Sequence, residues 1–122
     1  MPDVPLILVV DDDSDSRTLL EMALATSGYA VETAANGSDA LVSARRHRPN
    51  LILLDLAMPV MDGFAFRAEQ LRDANLSGIP VICVSGRHDA ARVSRRMQVA
   101  GCIPKPFDLQ VVIDQVRHIV PQ

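Results

Sequence analysis

Short aliphatic runs that end abruptly at a polar residue recur along this chain, and they constrain its fold more than any other feature. Leu6 to Val10 runs straight into Asp11-Asp12-Asp13, Leu51 to Leu54 into Asp55, Val81 to Val84 into Ser85-Gly86, and Gly101 to Ile103 into Pro104-Lys105-Pro106. An unbroken apolar run, without the alternation of a half-exposed strand, is what a strand in a parallel sheet covered on both faces requires. Tyr29 to Thr33 adds a further short β-prone run.

Between the runs the apolar period becomes helical. Leu20, Ala23 and Leu24 recur at helical spacing in a stretch that Ser14 can cap and Gly28 can stop in a left-handed conformation. The Asn36-Gly37 turn leads to Ser38, placed to cap a helix bearing Ala40, Leu41 and Ala44 and ended by Pro49. Arg45, Arg46 and Arg48 crowd its last turn, where cations complement the helix dipole, so this charge run is read as structural. Phe64, Ala68 and Leu71 line one side of a third helix, and Ala90, Val93 and Met97 fall in a fourth. Leu109, Val112, Ile113, Val116 and Ile119 form the stripe of a fifth, with Asp108 positioned to cap it. Five β-α units predict an α/β sandwich.

Size and charge narrow the expectation. At 122 residues and 48% hydrophobic, the chain suits one compact domain over 1–122, and no segment is polar or repetitive enough to read as a disordered tail. The apolar runs are far too short to cross a bilayer and no charged-then-apolar leader opens the chain, so a cytoplasmic protein without membrane association is expected. A net charge of -3 and a pI near 5.5 argue against direct nucleic-acid binding and favour a protein partner. Cys83 and Cys102 lie in apolar stretches without metal or disulfide spacing, and read as small buried residues in a reducing compartment.

In open parallel α/β sheets, ligands bind beyond the carboxyl ends of the strands, where the strand order reverses. All the polar termini named above fall on that edge. If the order is 2-1-3-4-5, the first and third runs are neighbours at the switch point, which sets Asp55 beside Asp11 and Asp12. Two carboxylates about 4 Å apart repel by roughly 4 kcal/mol at an effective dielectric of about 20, so a cation belongs among them. A few carboxylates, a carbonyl, waters and a phosphate oxygen are the usual ligands of Mg²⁺. Lys105, the only lysine beside eleven arginines, brings a second positive charge.

Leu8-Val9-Val10-Asp11-Asp12-Asp13, the stretch Asp55-Leu-Ala-Met-Pro-Val-Met-Asp-Gly63, Ser85 and Lys105-Pro-Phe107 together resemble the receiver domain of two-component response regulators, across essentially the whole chain. The resemblance implies a flavodoxin-like (βα)5 three-layer sandwich with a five-stranded parallel sheet of order 2-1-3-4-5. It makes Asp55 the phosphoacceptor, gives Mg²⁺ to Asp11, Asp12, Asp55 and the Ala57 carbonyl, and sets Ser85 and Lys105 against the phosphoryl group. It also implies a cis Lys105-Pro106 bond. The phosphoryl donor would be a sensor histidine kinase or a histidine phosphotransfer protein. The recipient of the signal would be a downstream protein or a fused output domain, reached through the fourth helix, fifth strand and fifth helix, and the family allows a homodimer there. Such a chain is not an enzyme beyond its own phosphorylation and dephosphorylation.

The pattern breaks at three positions. Where most relatives carry Tyr or Phe three residues before the lysine, this chain has Cys102, so the rotating aromatic reporter of activation is missing and Arg87 with the fourth helix is expected to carry the signal. Ala57 and Arg87 stand at the two positions that commonly tune dephosphorylation. Ala57 cannot orient a water, so slow loss of phosphate is expected. Arg87, Arg92, Arg95, Arg96 and His88 make the fourth helical region the most basic, read first as a solvated face and second as a docking surface for an acidic partner.

Rival readings have their own marks. Asp11-x-Asp13-x-Asp15 opens like an EF-hand loop, but Ser16 stands where Gly is needed and Met22 where Glu is needed. A haloacid dehalogenase-type phosphohydrolase would use Asp11 as nucleophile, yet the chain has no room for a cap domain and the signature after Asp55 goes unexplained. A receiver-like interaction module that is never phosphorylated is the alternative; its usual mark is loss of an acidic or lysine position, and all are present.

Overall fold

A computed structural model of the chain describes residues 4–58, 60–86 and 90–121, with backbone alone at Ala90, Ala91, Val93 and Ser94. Arg87 and His88 lie outside the described residues. The described residues form strands β1 (Leu6–Val10), β2 (Ala30–Ala34), β3 (Leu51–Asp55), β4 (Val81–Ser85) and β5 (Gly101–Pro104), alternating with helices α1 (Ser14–Thr26), α2 (Gly37–Arg46), α3 (Gly63–Arg72), α4 (Ala90–Met97) and α5 (Leu109–Ile119). The strands pair in parallel in the order β2-β1-β3-β4-β5, as expected.

Side chains of successive strand residues point to opposite faces, and each face buries its own core. Leu8, Val10, Ile52, Leu54 and Cys83 pack under α2, α3 and α4, together with Phe66 and Met97. Ile7, Val9, Leu51, Leu53 and Ile82 pack under α1 and α5, together with Leu24 and Val116. Every residue of β3 and β4 is buried, which is why those runs show no alternation in sequence. No helix among the described residues is long and apolar enough to cross a membrane.

Three local expectations need correction. Ser14 and Ser38 lie inside α1 and α2, and the caps are Asp13, which accepts from the Asp15 amide, and Asn36, which accepts from the Asp39 amide. Both true caps are extended residues whose side-chain oxygen reaches the second or third helical amide, so each helix opens at the first group able to make that bond. In α3 the expected apolar side faces out: Phe64 and Leu71 are exposed, whereas Phe66, Arg67 and Gln70 are buried. Hydrogen bonds satisfy the buried polar pair, so hydrophobic spacing misplaces the inner face. Gly28 ends α1 at φ 99, a left-handed conformation that glycine adopts without penalty, and Asp108 caps α5.

Candidate functional site

Strand register assembles the site. Val10 pairs with Leu54 and Asp55 with Val84, so the acids that follow β1 and end β3 meet at one sheet edge. Ser85 pairs with Pro104, which brings Lys105 to the same edge. The backbone amide of Lys105 donates to the Ser85 carbonyl at 2.9 Å, and the Lys105-Pro106 bond is cis, as expected.

Asp11, Asp12 and Asp55 each offer a carboxylate oxygen, all within 4.8 Å of one another. Asp11 and Asp55 are buried and Asp12 is exposed. Lys105 Nζ donates to Asp11 Oδ2 at 3.1 Å and to Asp55 Oδ2 at 3.4 Å. The other oxygens are held by backbone: the Asp13 amide donates to Asp11 Oδ1 at 2.9 Å and the Ala57 amide to Asp55 Oδ1 at 3.1 Å. Ser85 is buried at the end of β4, and Ala57 is exposed just beyond β3.

Burial pushes the Asp55 carboxyl up to about 6; the Ala57 amide and Lys105 oppose that rise, and the charge on Asp11 adds to it. Burial works against the Lys105 charge, but the two carboxylates outweigh it and hold the ammonium above its ordinary range. Three convergent hard oxygen donors against one ammonium leave an excess of negative charge, and that donor set fits Mg²⁺ rather than a soft metal.

Two glycines explain how the loop after β3 closes over this edge. A Cβ on Gly63 would lie 2.7 Å from the Asp55 carbonyl and 2.8 Å from Leu56 Cα. A Cβ on Gly37 would lie 2.7 Å from Met61 Cγ, and the Gly37 amide donates to the Met61 carbonyl at 2.9 Å. Arg17 was not expected here, yet its Nη1 donates to the Asp11 carbonyl at 2.8 Å and pins the end of β1. Its only sequence signal is its place one helical turn after Asp13.

Cys102 is half-buried beside Cys83, its register partner. Burial raises both thiols, Cys83 to about 12, which keeps them protonated and supports the packing role expected of them.

The family model for the response regulator receiver domain matches residues 7–117. Transcriptional regulatory protein PrrA of Mycobacterium tuberculosis is 39% identical over 123 residues, covering 95% of this chain and 50% of that protein. Transcriptional regulatory protein AfsQ1 of Streptomyces coelicolor is 40% identical over 119 residues, covering 96% of this chain and 52% of that protein. The chain thus spans about half the length of these relatives. Among solved structures, chemotaxis protein CheY4 of Vibrio cholerae superposes with a TM-score of 0.89 at 27% identity, over 97% of this chain and 100% of the other.

Proposed function

The chain belongs to the response regulator receiver domain family, and from that premise we propose that it is a signalling switch operated by phosphorylation of Asp55. The observation that carries this reading is the convergence of Asp11, Asp12 and Asp55 within 4.8 Å, with Lys105 bonded to two of them.

In the proposed reaction an Asp55 carboxylate oxygen attacks the phosphorus of a phosphohistidine on a sensor histidine kinase or histidine phosphotransfer protein. The P–O bond forms as the P–N bond breaks, and the imidazole leaves with the electron pair. Asp11, Asp12, Asp55 and the Ala57 carbonyl would hold Mg²⁺, which when bound neutralises charge on the phosphoryl oxygens. Lys105 contributes its own positive charge to the transferred group. The Ala57 amide holds one acceptor oxygen in place and leaves the other toward Lys105. Afterwards Ser85 is drawn to the dianion, which moves the loop after β4 and with it α4. The chain acts on no other molecule in this scheme, and its output passes to a fused domain or a separate protein in the cytoplasm.

Intact mass after incubation with Mg²⁺ and acetyl phosphate tests the reading. One added phosphoryl group, lost in Asp55→Asn, is the expected result. Unchanged mass in a protein that binds Mg²⁺ would leave the interaction module that is never phosphorylated as the better account.

A further inference from the structure

The described part of α4 is eight residues long, and helices shorter than ~12–15 residues are marginal in water without tertiary support. Met97 is buried at its end, while Arg92, Arg95 and Arg96 are exposed along it. The support comes from α3. Arg67, buried among the core residues, donates from Nε to the Met97 carbonyl at 3.1 Å and from Nη2 to the Gln98 carbonyl at 2.8 Å. Its Nη1 donates to Gln70 Oε1 at 2.8 Å, and the fully buried Gln70 donates in turn to the carbonyls of Leu76 at 2.9 Å and Ile79 at 3.0 Å.

Met97 is the last residue of α4, and Gln98 leaves it at φ 56, so the carbonyls held by Arg67 belong to the group that a helix end leaves without intrahelical partners. Among the described residues every bond of the Arg67 guanidinium runs to a neutral oxygen, and the negative end of the α4 dipole supplies the compensating charge. An apolar side chain would fill the same space without desolvating a charge, but it would leave the end of α4 unheld.

We propose that Arg67 is a positioning residue that fixes the C-terminal end of α4, so that a signal from the site tilts the helix about Met97 and Gln98 instead of carrying it bodily. The tilt rests on the Asp55 switch reading; the fixing of the helix end does not. At a rise of about 1.5 Å per residue the displacement grows away from the pivot. Arg95 and Arg96 therefore stay nearly in place while Ala90 to Arg92 move. A partner that touches α4 would meet a constant basic anchor at one end and a variable contact at the other.

Amide hydrogen exchange on the whole chain in Mg²⁺, with and without beryllium fluoride as the phosphoryl stand-in, tests both parts. In the unmodified protein, beryllium fluoride is expected to change exchange at residues 90–93 and to leave 95–99 unchanged. A uniform change from 90 to 99 overturns the pivot. Without the fluoride, Arg67→Met is expected to speed exchange at 95–99 about tenfold, the scale of a lost charged hydrogen bond, while β1 and β3 stay protected. With it, the response in that variant is expected to spread through 95–99, which a merely structural loss would not produce. Arg67→Lys keeps the charge without the forked geometry, should give an intermediate rate, and serves if the methionine variant does not fold. Unchanged exchange at 95–99 in both variants overturns the clamp. If beryllium fluoride alters no amide near Asp55, the switch and the tilt fail together, and the comparison without fluoride still decides the clamp.

Discussion

Val60 stands in the left-handed region at φ 70 and is 86% exposed, so a β-branched residue bears backbone strain with no packing to offset it. Left-handed backbone costs an L-residue about 1–2 kcal/mol, and glycine there would add back roughly 0.4–1 kcal/mol of unfolded-chain entropy. Val60→Gly is therefore expected to raise the unfolding free energy by about 0.5–1 kcal/mol, read from urea titration. Ala57 presents its amide to Asp55, the proposed acceptor, but no polar side chain to a water. Ala57→Asn is expected to speed phosphate loss from the phosphorylated protein about tenfold, short of the 10²–10⁴ of a full general base, and an unchanged lifetime would remove position 57 from the timing of the switch. Asp11, Asp12, Asp55, Ser85 and Lys105 were all legible in sequence because each follows or ends an aliphatic run, so the drop in hydropathy marks the strand end. Arg17 and Arg67 were not: each acts on a backbone carbonyl, and carbonyls leave no trace in residue identity.

At the level of elements, four strands could be read from apolar runs, β2 from a β-prone run and the start of α5 from Asp108, whereas the inner face of α3 could not. Periodicity assumes that polar groups stay in water, and Arg67 with Gln70 escapes that assumption by satisfying its donors inside. The entry to α3 is equally specific. Because a methyl at position 63 would strike the backbone of Asp55 and Leu56, Gly63→Ala is expected to cost about 1–3 kcal/mol of stability. The same change should slow phosphorylation from acetyl phosphate, since what must shift is the strand end that bears the acceptor. Slower phosphorylation at unchanged stability, or the reverse, would show that the two are separable.

For the molecule as a whole, the acid cluster is expected to make stability depend on divalent metal. A ligand that binds only the folded chain adds about 2.7 kcal/mol at a hundredfold excess over its Kd. Thermal unfolding in Mg²⁺ and in chelator is expected to show that increment, and Asp12→Ala is expected to abolish it. The same variant should be no less stable than the parent in chelator, because Asp12 is exposed and its removal takes away one of three crowded charges. A variant that loses stability equally with and without metal would mean that Asp12 serves the fold and not the ion.

Lys105 meets Asp11 across 94 positions of sequence and Asp55 across 50. The ammonium that relieves the crowding of the acids arrives with β5, which follows the other four strands of this sheet in the chain. A nascent chain that has already laid down β1 and β3 thus holds Asp55 beside Asp11 without this ammonium until β5 docks at the far edge of the sheet. If Asp55 is the acceptor, closure of the five-stranded sheet and readiness of that residue become one event, and a product truncated before β5 would carry the aspartate without its ammonium partner.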